Sequence, residues 1–491
     1  MRLFPSPEGW VAISGVVAVG VIVAWSLSLR GPAPGPEASP KEPGFRDVVK
    51  NPELWREMVA AGEDVEREAE AARRWSDEQV ARAVRWYVMD VKNSRHAWDK
   101  LTVLQKLGAR TRTEALRILG DPALRARLLE ATKEDEHSLP EAPFNRLCQL
   151  LDRPPPETVS LIVPFSEAPS SQVRKDAAEL LGGIGTDEAL VAVRKSLRDS
   201  DQYVRSAALR GLTAAVKENR VGAAGRRDLF ESGLRLLAEG NNADEAAPLL
   251  LKLDRERAVA FFLSDGSLSP QSKVLQDVLQ LLNEERIPVP RPRLLALVSE
   301  LDKPELKYPQ TYQLHEVLRA LGRHKVPEDR ELFNGYLPHS DEQVAKGAAA
   351  GLLASHGLED FRQRIWEPRG GKGLTVPQRR CRAVSLLDSE VCNGGFSQYF
   401  FNSSGDDWRD ALAGLEAVGS KERLAIFREA LARFGPAGPS EDRETRMDQL
   451  AKIANAEDAL FDPLDSRYYK STEVIEVMVM RYVLKNPDAF R

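Results

Sequence analysis

The chain is 491 residues long and carries 69 basic against 74 acidic residues, a formal net charge of −5 spread along its length. That length exceeds what one hydrophobic core normally serves, so two or three packed units are expected, and the balanced charge leaves no sustained basic field for a phosphate backbone. Nucleic acid is therefore disfavoured as a partner, and three cysteines (Cys148, Cys381, Cys392) exclude a disulfide framework as the source of stability.

After a tail at residues 1–9, Trp10 to Leu29 ("WVAISGVVAVGVIVAWSLSL") runs for twenty residues without a charge. At about 1.5 Å per residue such a run crosses a hydrocarbon core of about 30 Å, so a single-pass transmembrane helix is predicted, with Trp10 and Trp25 near its ends. A cleaved signal peptide, with Ser26 and Ser28 before the cut, is the alternative. Arg30, Lys41, Arg46 and Lys50 follow the span and only Arg2 precedes it, so positive-inside counting places the body in the cytoplasm. The margin is thin and the exported orientation stays open.

Residues 30–50 include "GPAPGPEASPKEPG", too rich in Pro and Gly for regular structure, and read as a spacer. Asn51-Pro52 then has the form of an N-cap followed by proline at the first helical position. From there to residue 368 helix follows helix, with internal echoes. "VRKDAAELLGGIG" from Val173 and "VRSAALRGLTAAV" from Val204 align at an offset of 31 residues, and "SDEQVA" occurs at Ser76 and again at Ser340. In each "SDEQVA" copy, Ser with Gln three residues later predicts a capping box. Two-helix units of this size cannot each bury an apolar face alone, so an α-solenoid is predicted over 51–368. Ser170 to Val216 resembles HEAT-type repeats. In that family an Asp six residues before the Arg helps to build a polar ladder between repeats, a spacing matched by Asp199 and Arg205, whereas Ala168 stands where the Asp before Arg174 would be.

Residues 369–375 include "GGKG", which lacks the Ser or Thr and the preceding strand of a phosphate loop and reads as a linker. Beyond it, 374–491 holds 12 of the chain's 33 aromatic residues, which predicts a compact core. Two amphipathic helices are expected, one through Trp408, Leu412, Leu415 and Val418 with Asp406 or Asp407 as cap and Gly419 as stop, the other through Leu424, Phe427, Leu431 and Phe434. A further helix should start at Ser440, and "STEVIEVMVMRYVL" should form the last.

The unusual segment is "SEVCNGGFSQYFFNSSGD", Ser389 to Asp406. Asn393-Gly394-Gly395 supplies backbone freedom at positive φ and should end the helix carrying Leu386, Leu387 and Glu390. A short helix then turns Phe396, Tyr399 and Phe400 to the core, with Gln398 or Asn402 satisfying backbone groups in the turn. Gly394→Val is expected to cost several kcal/mol, through a left-handed conformation or a tight contact. With Glu390, Asn393, Gly394, Gly395, Gln398, Asn402 and Gly405, the following "LEAVG", "FDPLDSRYY" (Phe461 to Tyr469) and "NPDAF", residues 376–491 resemble the DNA-mimic-protein C-terminal domain family. The resemblance implies a small all-helical domain and protein binding through an acidic surface. From residue 374 onward there are 19 acidic and 16 basic residues, and a net of −3 is weak for a DNA mimic.

Catalytic signatures are sparse. The six histidines lie outside the C-terminal domain, no HxxxH or CxxC spacing occurs, and no GxSxG is present, so a metal or other cofactor is not expected. Cys392 as a nucleophile lacks a histidine in its domain, and a buried small side chain is the simpler role. Glu390 with Asp406 or Asp407 as an acid/base pair is outweighed by helix capping. The sequence thus points to an all-α, membrane-anchored, non-enzymatic scaffold for protein partners. The alternative is a hydrolase or transferase with a polar cleft at Glu390, Asn393, Gln398 and Asn402.

Overall fold

The computed structural model describes residues 65–89, 95–131, 143–151, 154–303, 305–367, 373–456 and 461–491. These residues are helical throughout, with short connections and no strand among them. They divide into two compact units, one ending at Ser355 and the other comprising His356–Arg491.

The expected single-pass membrane localisation is corrected here: among the described residues no helix is long and apolar enough to cross a membrane. The Trp10–Leu29 stretch, the spacer, the Asn51-Pro52 cap and "GGKG" itself lie outside the described residues, except for the last glycine, Gly373.

In the first unit, six helices pack side by side in sequence order: Ser171–Ile184, Gln202–Lys217, Ala243–Leu253, Leu275–Glu284, Gln310–Gly322 and Glu342–Ser355. Asp187–Ser196, Ala223–Glu239, Arg255–Phe262, Arg291–Leu301 and Asp329–Tyr336 alternate with them, each resting on a row helix next to it in sequence. The small residues of the echoed "VR" segments explain the close packing of the first two row helices. A Cβ on Gly211 would meet the Glu179 carbonyl oxygen and come within 2.8 Å of the Gly183 nitrogen, so no larger residue fits where these backbones cross.

The polar ladder follows one rule at successive repeats. The Arg174 guanidinium donates to the carbonyls of Ala168 (3.1 Å) and Pro169 (2.8 Å), and Arg205 does the same to Asp199 (2.7 Å) and Ser200 (3.1 Å). Main-chain acceptors serve at this step, which is why Ala168 is tolerated there. The side chains link neighbouring repeats. Arg174 pairs with both carboxylate oxygens of Asp199 at 2.8 and 3.0 Å, and Arg205 donates to the Asn242 side-chain oxygen at 2.9 Å. Bidentate geometry of this kind holds both orientation and charge.

The hydrogen bonds from Arg174 hold the Asp199 carboxyl below its usual 3.8. A carboxyl with a depressed folded pKa contributes stability that is complete above its unfolded value and is lost as pH falls through the folded value. Asp199→Asn should therefore lower the melting temperature of the repeat unit at pH 6, and its deficit should shrink as pH drops below about 4. Paired thermal melts of the two proteins from pH 7 to pH 2.5 check this.

The two "SDEQVA" copies start their helices differently. At the first, Gln79 N–H donates to Ser76 Oγ at 3.2 Å and Ser76 N–H to Gln79 Oε1 at 2.7 Å, the expected capping box. At the second, Asp341 is the cap, accepting from the N–H groups of Gln343 (2.8 Å) and Val344 (3.2 Å). The residue before each copy also differs. His339 Nδ1 accepts the Asp341 N–H at 3.0 Å, an acceptor that Trp75, before the first copy, does not have.

In the second unit, the Val376–Phe401 helix is surrounded by Trp408–Val418, Arg443–Ala456, Asp462–Lys470 and Ile475–Lys485, with Glu422–Ala432 packed between the Trp408 and Asp462 helices. Two sequence expectations shift. The Trp408 helix stops at Gly419 (φ 86°) as predicted, but its buried face is Ala411, Gly414 and Leu415 rather than the Trp408, Leu412, Leu415 and Val418 stripe. Small residues win that face because they let the helix approach the Val376 helix, where Gly414 lies against Val384 and the Arg380 carbonyl. The Arg443 helix is capped by Asp442, whose carboxylate accepts from Thr445 N–H (2.9 Å) and Thr445 Oγ1 (2.6 Å), with Ser440 one step outside.

Candidate functional site

Helix Val376–Phe401 begins with a capping box of Thr375 and Gln378 and continues to Phe401 with a break at the glycine pair. Gly394 has φ −155° and ψ 22°, and Gly395 has φ 76° and ψ −177°. The left-handed position is thus Gly395, not the residue before it. This region of backbone space is essentially confined to glycine. The break sets the second half of the helix at a new angle, so the two halves carry different partners.

Its first consequence is at Glu390. In a straight helix, residues eight and twelve positions apart are separated by about 12 and 18 Å along the axis. Across the kink they meet. Gln398 Nε2 donates to Glu390 Oε2 at 2.6 Å, Asn402 Nδ2 to the same oxygen at 2.9 Å, and Ser404 Oγ to Oε1 at 2.6 Å. Gln398 and Ser404 are buried, while Glu390 and Asn402 are half-buried. Three charge-assisted hydrogen bonds on one carboxylate tie the first half of the helix to its far end.

The second consequence is at Phe396, the first residue beyond the kink, whose N–H donates to Asp465 Oδ1 at 2.8 Å. Asp465 belongs to "FDPLDSRYY", so one motif caps the helix that another motif begins. The neighbouring tyrosines add to the join. Tyr469 OH donates to the Val391 carbonyl at 2.9 Å, and Tyr468 OH donates to Asp388 Oδ1 at 3.2 Å, while Arg423 pairs with that carboxylate and lies 4.4 Å from the Tyr468 ring centroid.

Below the kink, Phe396, Tyr399 and Phe400 enter the core as their i, i+3, i+4 spacing predicts. Phe396 stacks on Phe427 at 6.1 Å and meets Tyr468 edge-on at 5.6 Å, and Phe400 meets Phe434 at 4.7 Å. Each such ring contributes about 1.5–3 kcal/mol by burial, with more from edge-to-face geometry. Burial also pushes the Tyr399 phenol well above its usual range.

Arg446 is the residue that sequence reasoning missed. Its side chain is 0% exposed, yet it makes five hydrogen bonds: Nε to the Phe400 carbonyl (2.7 Å), Nη2 to the Asn402 carbonyl (2.9 Å) and Asp406 Oδ1 (2.5 Å), and Nη1 to the carbonyls of Ser440 (2.7 Å) and Glu441 (3.2 Å). Arg443 donates to the Phe401 carbonyl at 3.0 Å. Two arginines thus satisfy three successive carbonyls at the end of the kinked helix, where its dipole favours cations. The signal was present but weak. Met447, Leu450 and Ala451 are buried beside Arg446, so the arginine occupies the fourth place of an apolar face within an otherwise charged helix.

The remaining candidates fall elsewhere. Asn393 is exposed and no hydrogen bond joins it to Glu390. Gly405 is buried against Arg446 and the Tyr399 carbonyl. Asp406 is engaged by Arg446, so it forms no carboxylate pair with Glu390. Cys392 is exposed rather than buried, with its thiol 3.9 Å from Asp388, whereas Cys381 is buried and its thiol is pushed up to about 12 by desolvation. Among the described residues no group of three His, Cys, Asp or Glu side chains is placed to hold a metal ion.

The row of two-helix repeats defines a helical-repeat architecture, followed in the chain by a small helical domain built around a glycine kink. Comparison with family models agrees: residues 146–213 match HEAT repeats, and residues 372–486 match the family described as DMP19-like protein, so the chain carries a DMP19-like domain behind HEAT repeats. No curated protein matches the chain.

Proposed function

We propose that this protein is a non-enzymatic scaffold that binds protein partners through its helical repeats and through its DMP19-like domain. The observation that carries this reading is the state of Glu390. Its carboxylate accepts from Gln398, Asn402 and Ser404, so the polar groups of the motif are used on one another and on the fold. A general acid or a ligand-binding carboxylate would need that capacity for a substrate. The repeats support the same reading, since stacked two-helix units offer a long surface for protein contact.

Two substitutions separate this reading from a hydrolase or transferase cleft. Gln398→Ala removes a donor from a half-buried carboxylate and should cost about 1–3 kcal/mol. Asn393→Ala, at an exposed position, should stay within about 0.5 kcal/mol of the parent. Thermal melts, with crosslinking and mass spectrometry to locate partner contacts, check both halves. If either variant keeps its stability yet loses turnover or binding of a small molecule, the scaffold reading falls.

A further inference from the structure

Within the second unit, the end of the Trp408–Val418 helix and one face of the Ile475–Lys485 helix enclose a hollow of about 230 Å³. Ala417, Val418 and Gly419 form one wall, and Met478, Arg481, Tyr482 and Lys485 form the other. The second wall is a single helical stripe, because positions i, i+3, i+4 and i+7 share a face. Arg481 and Lys485 are both exposed, and among the described residues no carboxylate pairs with either. Arg379, Arg409, Arg428 and Arg467, elsewhere on the same domain, do have acidic partners.

We infer that this hollow is a docking site for an acidic peptide segment of a partner protein, which places a carboxylate between Arg481 and Lys485 and an adjacent apolar side chain on Met478 and Val418. The inference rests on the scaffold reading and gives its C-terminal module a site and a ligand chemistry. Size argues for side chains over a metabolite. Small-molecule sites usually span about 300–1,000 Å³, and a hollow of about 230 Å³ suits one or two side chains. The lining argues for a ligand led by its charge, since two unpaired cations need an anion, while Val418 and Met478 beside them offer a smaller apolar contact. Charge argues against nucleic acid, because a domain with 19 acidic and 16 basic residues repels a phosphate backbone beyond these two positions. The negative pole at the end of the Trp408 helix explains why cations face it before a ligand arrives.

The test uses the full chain, a displayed library of random twelve-residue peptides, and a labelled single-stranded oligonucleotide. The parent protein should enrich peptides in which Asp or Glu adjoins Leu, Met or Phe. Synthetic copies should bind about tenfold or more weakly to Arg481→Glu/Lys485→Glu, and binding to the parent should weaken with salt. Both proteins are melted first, with Arg481→Gln/Lys485→Gln used if charge reversal unfolds the domain. No enrichment, enrichment of basic peptides, equal binding by the variant, or preference for the oligonucleotide each overturns the proposal. Partner crosslinks that reach the second unit but avoid 417–419 and 478–485 overturn it as well, and they leave the scaffold reading standing.

Discussion

Replacing Gly395 with valine should destabilise the C-terminal unit by about 3–5 kcal/mol, enough to unfold a marginal domain. Two costs add. The residue sits at φ 76° and ψ −177°, where a β-branched side chain is strained by roughly 1–3 kcal/mol. A Cβ there would also strike the Asp465 carboxylate, which holds the Phe396 N–H at 2.8 Å, so the cap that starts the second half of the helix would be displaced. Gly394 has an ordinary φ of −155°, and the nearest atoms to a Cβ on it belong to the Gln398 side chain, which can shift at the cost of its bond to Glu390. Gly394→Ala should therefore cost less than Gly395→Ala. Chemical denaturation followed by tryptophan fluorescence of Trp408 ranks the three variants, and equal losses at both glycines would refute the assignment.

Arg446→Met should cost a similar amount, about 3–5 kcal/mol, even though methionine fills much of the volume. The loss comes from what remains. The carbonyls of Phe400, Asn402 and Ser440 and the Asp406 carboxylate would be left around a site that can no longer donate. Lysine should rescue only part, because one ammonium cannot reproduce a planar fork that serves five acceptors. Urea titration of Arg446→Met and Arg446→Lys measures both, and a lysine variant as stable as the parent would count against the network.

Much of the architecture could be read directly from the chain. The "VR" echoes announced stacked two-helix units, and the Ser76 capping box and the Gly419 stop lie where local chemistry put them. The spacing of Phe396, Tyr399 and Phe400 named the core-facing side of the kinked helix. The cap, the stop and the aromatic spacing depend on residues within about one helical turn, over which spacing and dihedral preference act.

The candidate site was legible only in outline. Its residues were recognisable as unusual, but their partners were not. Glu390 meets Gln398 and Asn402 only because Gly395 bends the chain, Asp465 caps Phe396 from 69 residues away, and Arg446 closes the helix end from 46. Even an identical hexapeptide capped its helix differently in its two settings, through Ser76 at the first and Asp341 at the second.

The amino-acid sequence by itself determined the helices, their repeats and the need for a corner at the glycine pair, because these follow from backbone preference and apolar period. Tertiary structure alone decided which glycine is left-handed, which carboxylate holds which amide, and that a charged arginine belongs in the core. Buried polar groups must find partners, and the fold supplies those partners from segments that are distant in the chain.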